Sequence, residues 1–419
     1  MTARIVRTAL VGAVTALSAV PVAAAPADAA DHLTAPGHHT VTAPAPCAAP
    51  AVPATVVTDE PWAQKRYLPE RLEPLTTGGG VVVAVIDSGV DRQHPQLRTR
   101  VLPGADFLDP GGDGSRDCAG HGTAVASIIA ASVRKGVPFH GLAPDARILP
   151  VRVSEQQVID GKESGRAVTT AQFAQAIRWA VDHGAGVLNL SVVLYQDDPA
   201  VRDAVGYAVD RDVVVVAAAG NLHDEKHPDG SGDPRPYPAA YPNVIGVGAI
   251  DETGLRSRFS QVGSYVDVVA PGGAVLAAAT GQGHRGNDGT SYATPFVAAT
   301  AALLRQYQPR LTARQVADRI TRTADPAPVA ERGGYGSGVL NPYRAVTETG
   351  AAERQPAPAA APATGPDPAA LALAARRARA RQTAAWVAVG AGGAAGLTVL
   401  GAVALPRAAR RRWRPGDPD

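Results

Sequence analysis

Three short stretches of this chain carry side chains that become reactive only in one another's company. Val85-Ile86-Asp87-Ser88-Gly89 ends an apolar run on an acid, Gly120-His121-Gly122-Thr123 offers an imidazole, and Gly289-Thr290-Ser291-Tyr292-Ala293-Thr294-Pro295 offers a hydroxyl. A serine hydroxyl is a poor nucleophile until a base takes its proton, and an imidazole at hydrogen-bond distance does this. The imidazole becomes cationic in that step, so a carboxylate must hold its other nitrogen and stabilise the charge. Asp87, His121 and Ser291 supply these groups in that chain order. Each residue taken alone also suits a plainer part, as a strand-end turn former, a helix N-terminal residue or a helix cap.

The elements that must bring them together are legible as a rhythm. The β-branched run at 81–86 suits a strand buried on both faces, and runs of the same kind recur at 147–153, 186–190, 213–218 and 244–248. Helical stretches at 121–131, 170–183 and 200–210 lie between them, and helices at 291–307 and 312–321 follow. Strand alternating with helix predicts an α/β fold, a doubly wound parallel sheet with helices on both faces. In such sheets the strand ends and adjoining helix N-termini form the ligand crevice, where the three stretches converge. A helix starting at Ser291 also turns free backbone N–H groups and its positive end toward developing negative charge.

With these motifs in order, the chain resembles the subtilisin-like (subtilase) family over about residues 59–346. Further segments fall between the motifs as that family has them, among them His94-Pro95, Gly141-Leu142-Ala143-Pro144 and Tyr241-Pro242-Asn243-Val244-Ile245-Gly246-Val247-Gly248. The resemblance implies a serine endopeptidase acting on proteins, with Asp87, His121 and Ser291 as its triad. It assigns Asn221, in Ala217-Ala218-Ala219-Gly220-Asn221, to the oxyanion hole. It places the substrate between Ser191-Val192-Val193 on one side and Ala218-Ala219-Gly220 on the other. Val193 stands where the family commonly has glycine, so a narrowed pocket and small residues before the scissile bond are expected. His94 is expected to pack rather than react.

Several features are similar to one branch, the mycosins, membrane-anchored subtilases associated with type VII secretion. Ala124 follows the His-Gly-Thr motif where most secreted subtilisins have a second histidine, and Asp117-Cys118-Ala119-Gly120 runs straight into His121. The resemblance implies a Cys47–Cys118 disulfide, a leading segment at 30–76 that wraps the catalytic domain at 77–349, and no autocatalytic removal of that segment. It also implies limited processing of secreted or secretion-system proteins, with a type VII membrane complex as partner. A structural role in stabilising that complex, or general degradation at the cell surface, are the alternatives.

Both ends of the chain bear on location. Arg4 and Arg7 precede an apolar run, and Ala27-Asp28-Ala29 offers a small-x-small cleavage site, the layout of a signal peptide over 1–29. Residues 350–383 form a Pro/Ala-rich linker and basic stretch. The uncharged residues 384–405 are long enough to cross a bilayer, and the tail at 406–419 is rich in arginine. A single-pass protein with its catalytic domain outside the cell membrane is the expected arrangement. Basic and acidic residues number 40 and 38, which gives no clustered basic face for nucleic acid. Two cysteines in an oxidising compartment make one bond. No metal or cofactor is expected. His38 and His39 lack a third ligand, and Asp109 and Asp113 sit in a glycine-rich loop without a full calcium ligand set. The charged stretch 155–166 is expected to be a solvated surface insertion near the cleft.

Overall fold

In a computed structural model the described residues are 54–159, 162–223, 232–328 and 334–348. The expected signal peptide, linker, membrane span and tail, and Cys47, His38 and His39, lie outside them. Among the described residues no helix is long and apolar enough to cross a membrane.

The apolar runs become the strands of one seven-stranded sheet. Its members are β1 (Val82–Asp87), β2 (Ala105–Asp106), β3 (Arg147–Arg152), β6 (Val187–Leu190), β7 (Val214–Ala218), β8 (Val244–Ile250) and β9 (Val268–Pro271), in the order β2-β3-β1-β6-β7-β8-β9. Every pairing in it is parallel. Chain direction across the sheet reverses at β1, which has β3 on one side and β6 on the other. A crevice opens at such a reversal, beyond the carboxyl ends of the strands. Asp87 is the last residue of β1 and therefore stands at its mouth.

Helices α2 (His121–Ala130) and α5 (Thr290–Tyr307) contact each other and β1, whereas α3 (Thr170–Asp182) and α4 (Pro199–Asp210) pack together as a pair. Ala84 and Ile86 share one apolar cluster with Phe173 and Ile177 of α3 and Val201 and Val205 of α4. Side chains alternate along a strand, so Val83 and Val85 point the other way, toward α2 and α5. Helix α5 is apolar on nearly every side and is the central helix of the fold. Two helices open on a reciprocal capping box, Thr169 with Gln172 for α3 and Thr312 with Gln315 for α6 (Ala313–Arg322), and Asp198 caps α4. A short α1 (Trp62–Tyr67) precedes the sheet. The chain divides into two compact units, and the second, from Asn341, contains α7 (Pro342–Thr347), capped by Asn341.

Two hairpins were not evident in the sequence pattern. Residues 155–166 do not form a plain loop: β4 (Gln157–Ile159) and β5 (Lys162–Ser164) pair antiparallel, and Glu155 and Arg166 pair at 2.8 Å across the base. Arg152, fully buried at the end of β3, binds Asp106 at 2.6 Å, Asp109 at 2.9 Å and Glu155. Arg166 and then Arg152 hold the Asp109 carboxyl well below the usual carboxylate range. Asp113 pairs with Arg92 at 2.8 Å. The two aspartates weighed for calcium are thus committed to arginines, and this network straps the loop before α2 to the sheet.

The second hairpin, β10 (Val275–Ala278) with β11 (His284–Asn287), lies on α2 and receives the first described residues. Thr55 bridges His284 antiparallel, and the Val57 N–H donates to His284 Nδ1 at 3.2 Å. The other ring nitrogen of His284 meets Gln96 Oε1 at 2.7 Å, and the Gln96 N–H donates to Nδ1 of His94 at 3.3 Å. Both imidazoles are buried. Burial first, and His94 second, push His284 down to about 4. The unfolded chain then takes up a proton near pH 6.5 that the folded chain refuses until about 4, so stability falls as pH drops across that window. Thermal melts at pH 7 and pH 5 are expected to show a lower Tm at pH 5, with the difference reduced in His284→Asn; equal pH dependence in both proteins would contradict this.

Candidate active site

Asp87 is 2% exposed, and its Oδ1 lies 2.7 Å from His121 Nδ1. The same oxygen accepts the Ser88 N–H at 2.7 Å. Bringing α2 so close to the end of β1 requires a residue without a side chain after the histidine. A Cβ on Gly122 would sit 2.1 Å from the Gly89 carbonyl oxygen and 3.1 Å from Asp87 Cβ. The first turn of a helix carries unpaired N–H groups, and here Asp117 and Ser88 take them. Asp117 accepts from the Gly120 N–H at 2.7 Å and from the Thr123 N–H at 2.8 Å, and Ser88 Oγ accepts from the Gly122 N–H at 2.9 Å. Ser88 in turn donates to Asp117 at 2.8 Å. The loop before His121 is thus fixed by a buried carboxylate that the triad logic gave no reason to single out. Cys118, next to Asp117, is disulfide-bonded.

Ser291 is the second residue of α5, one turn before Pro295. Proline has no N–H, so the Ser291 carbonyl loses its helical donor. The Ser191 hydroxyl replaces it, donating to the Ser291 carbonyl at 2.9 Å while accepting from Asn189 Nδ2 at 2.9 Å. The Ser291 hydroxyl donates back to the Ser191 carbonyl at 3.2 Å. Ser191, expected among the substrate-binding residues, therefore uses its side chain to hold Ser291. In this rotamer the Ser291 hydroxyl is turned to Ser191 rather than to His121. The Tyr292 ring packs on the His121 imidazole with centroids 5.2 Å apart.

Asn221 is exposed at the end of the segment that leaves β7. Its Oδ1 accepts the Thr290 N–H and the Thr290 hydroxyl, each at 2.9 Å, and Thr290 Oγ1 accepts the Gly220 N–H at 3.1 Å. With the oxygen so anchored, the Asn221 amide nitrogen is the free end, facing Gly289 at the start of α5. The Ser291 N–H, inside the first turn, likewise has no partner among the described residues. The Asn221 amide nitrogen and the Ser291 N–H are thus both left for another acceptor at the start of α5. Thr290 was missed in the sequence, although its place before the serine was the available signal.

The remaining residues expected to bind substrate fall where adjacent strands end. Val192 and Val193 follow β6 and are partly buried; Ala218 closes β7, and Ala219 and Gly220 follow it, all three buried. Strands β6 and β7 are neighbours, so the two segments run side by side away from the sheet. His94 is 1% exposed and faces the Gly283 carbonyl oxygen at 3.2 Å, a packing position. Among the described residues no group of His, Cys, Asp or Glu is arranged to hold a metal ion.

Known proteins resemble this chain over most of its described length. The model of the subtilase family matches residues 78–341. Mycosin-1 of Mycobacterium tuberculosis is 36% identical over 343 residues, covering 72% of this chain and 76% of that protein. Two solved structures are similar at a TM-score of 0.60. One is the serine protease MycP1, an essential component of the type VII (ESX-1) secretion system, 34% identical, with 72% of this chain and 92% of that one covered. The other is the MycP3 protease from the type VII (ESX-3) secretion system, 32% identical, with 74% and 98% covered.

Charge around His121 sets its titration. Burial opposes the cation most strongly, but Asp87, through charge and hydrogen bond, and Asp117 together raise the imidazole above its ordinary 6.5. The His121 ring is expected to titrate above pH 6.5 by NMR, and Asp87→Asn to bring it down. A wild-type ring titrating below that value would refute the arrangement.

Proposed function

The chain belongs to the subtilase family of serine proteases, and from that premise we propose that it hydrolyses peptide bonds with Asp87, His121 and Ser291. The observation that carries this reading is the 2.7 Å contact between the buried Asp87 carboxylate and His121 Nδ1, with Tyr292, the residue after Ser291, packed on the same imidazole at 5.2 Å between ring centroids. In this mechanism the Ser291 hydroxyl turns from the Ser191 carbonyl to His121 Nε2, as catalytic hydrogen bonds often tighten once substrate is bound. Its oxygen attacks the scissile carbonyl carbon while the proton passes to Nε2. The resulting oxyanion lies against the Asn221 amide and the Ser291 N–H. Collapse breaks the carbon–nitrogen bond, and His121 returns the proton to the leaving amine. Water then repeats the sequence against the acyl-enzyme, releasing the acid and restoring the hydroxyl.

Asp87 keeps Nδ1 protonated, so that Nε2 is the basic nitrogen, and offsets the imidazolium charge. Ser291→Ala is expected to abolish cleavage. Asn221→Ala should lower turnover by about 10²–10³-fold, the range found when subtilisin loses its own such donor, with KM little changed. A Ser291→Ala protein that still cuts would end this assignment.

We further propose a mycosin-like setting: a catalytic domain held outside the cell membrane by residues 384–405 and acting on few proteins, in company with a type VII secretion complex. The support is the likeness to Mycosin-1, MycP1 and MycP3, together with the uncharged C-terminal stretch. A stabilising role in the complex is compatible with proteolysis, and general degradation is the reading it competes with. In the producing cells, Ser291→Ala is expected to change which extracellular proteins carry new termini while secretion continues. Deleting 384–405 is expected to impair secretion. Broad casein hydrolysis by the purified protein would favour the degradative alternative.

A further inference from the structure

The two segments beside Ser291 are bridged across the groove between them. One wall begins at Ser191, bonded to Ser291, and runs through Val193 to Tyr195. The other is Ala218-Ala219-Gly220, tied to α5 through Thr290. Tyr195 belongs to the first wall, yet its hydroxyl donates to Gln261 Oε1 at 3.0 Å beside the second. Gly220, at φ +91°, has room for no side chain: a Cβ there would lie 1.9 Å from Gln261 Oε1 and 3.2 Å from the Tyr195 hydroxyl. Gln261 is fully buried, its own N–H donates to the Gly220 carbonyl at 3.2 Å, and its Nε2 donates to the Pro234 carbonyl at 2.6 Å and faces the Tyr265 hydroxyl at 3.4 Å. The tyrosine is not free to withdraw with its backbone, because Leu194 and Tyr237 exchange both N–H···O=C bonds at 2.7 Å.

We infer that Tyr195, held by Gln261, sets the size of the side chain accepted before the scissile bond and restricts the protease to polypeptides with Gly, Ala or Ser there. The inference rests on the proposed Ser291 site and on this groove being its pocket for that side chain. A longer side chain must push Tyr195 aside. That leaves the buried Gln261 Oε1 without its donor, a state proteins avoid because the group cannot turn to water instead. Val193 narrows the same groove from the first wall, but it is apolar and forms no cross-link, so Tyr195 is the residue whose removal opens the end.

The test compares kcat/KM for two peptides that differ only in Ala or Phe before the cut. Wild type is expected to favour Ala by about 100-fold, and the Phe-to-Ala ratio should rise about tenfold in Tyr195→Ala. It should rise by a smaller factor in Tyr195→Phe, which keeps the ring but releases it from Gln261. Labelling of Ser291 by a fluorophosphonate reports an intact site. Wild type that labels but cuts after Ala and Phe equally overturns the inference, as does an unchanged ratio in whichever variants label. Folded wild type that neither labels nor cuts removes the site reading, and this inference with it.

Discussion

A carboxylate taken out of water must be answered by charge or donors close at hand, and Asp87 has very little. One of its oxygens is shared between His121 and the Ser88 N–H, while the other, buried, has no hydrogen-bond partner among the described residues. The 2.7 Å contact of Asp87 with the imidazole is one that much of the surrounding structure serves. Helix α2 must begin at the histidine, Gly122 must leave space against Gly89 and Asp87, and the helix start must be held without a side-chain cap of its own. Asp117 does the holding through four donated hydrogen bonds, yet burial outweighs them and pushes its carboxyl up to about 6. Two buried acids thus face the base of one helix, one aligned with the ring and one with the backbone.

The serine side is organised by a second local necessity. Pro295 deprives the Ser291 carbonyl of its helical partner, and the Ser191 hydroxyl fills the gap, which fixes the strand segment after β6 against α5. Thr290 does the same for the segment after β7 by orienting Asn221 and accepting from Gly220. Residues Thr290, Ser291 and Pro295 of one helix therefore set both walls of the groove, with the candidate nucleophile among them.

The sheet was legible in the sequence where a buried strand is also a long β-branched run, as at β1, β7 and β8, which leave no polar position to confuse the period. Strand β9 and the hairpins were not, since Val268–Pro271 is too short for a periodic signal and His284–Asn287 contains no apolar residue. The three reactive residues could be picked out because their glycine-flanked motifs are dictated by close approach. Thr290, Gln261 and Tyr195 were hidden for the opposite reason: each acts through a partner far away in the chain, and an isolated Thr, Gln or Tyr has many ordinary uses. Asp117 was hidden because it binds mainly backbone N–H groups of the loop and helix turn just after it, which any short polar side chain could do. The second use of Ser191, satisfying a carbonyl left open by Pro295, could not be read from its own segment because the proline stands about a hundred residues farther along the chain. Residues 155–166 looked like a solvated insertion because their charges were counted singly, whereas Glu155 and Arg166 neutralise one another around the buried Arg152.

The aromatic ring that packs on His121 has a chemical consequence beyond shape. The protein contains a single methionine, the first residue, and Cys118 is already in a disulfide. Thioethers and free thiols are the side chains that peroxide converts most readily to bulky polar products. With tyrosine in the place beside Ser291, the described surroundings of the groove hold no such sulfur, and oxidants have nothing there to swell or polarise against the imidazole.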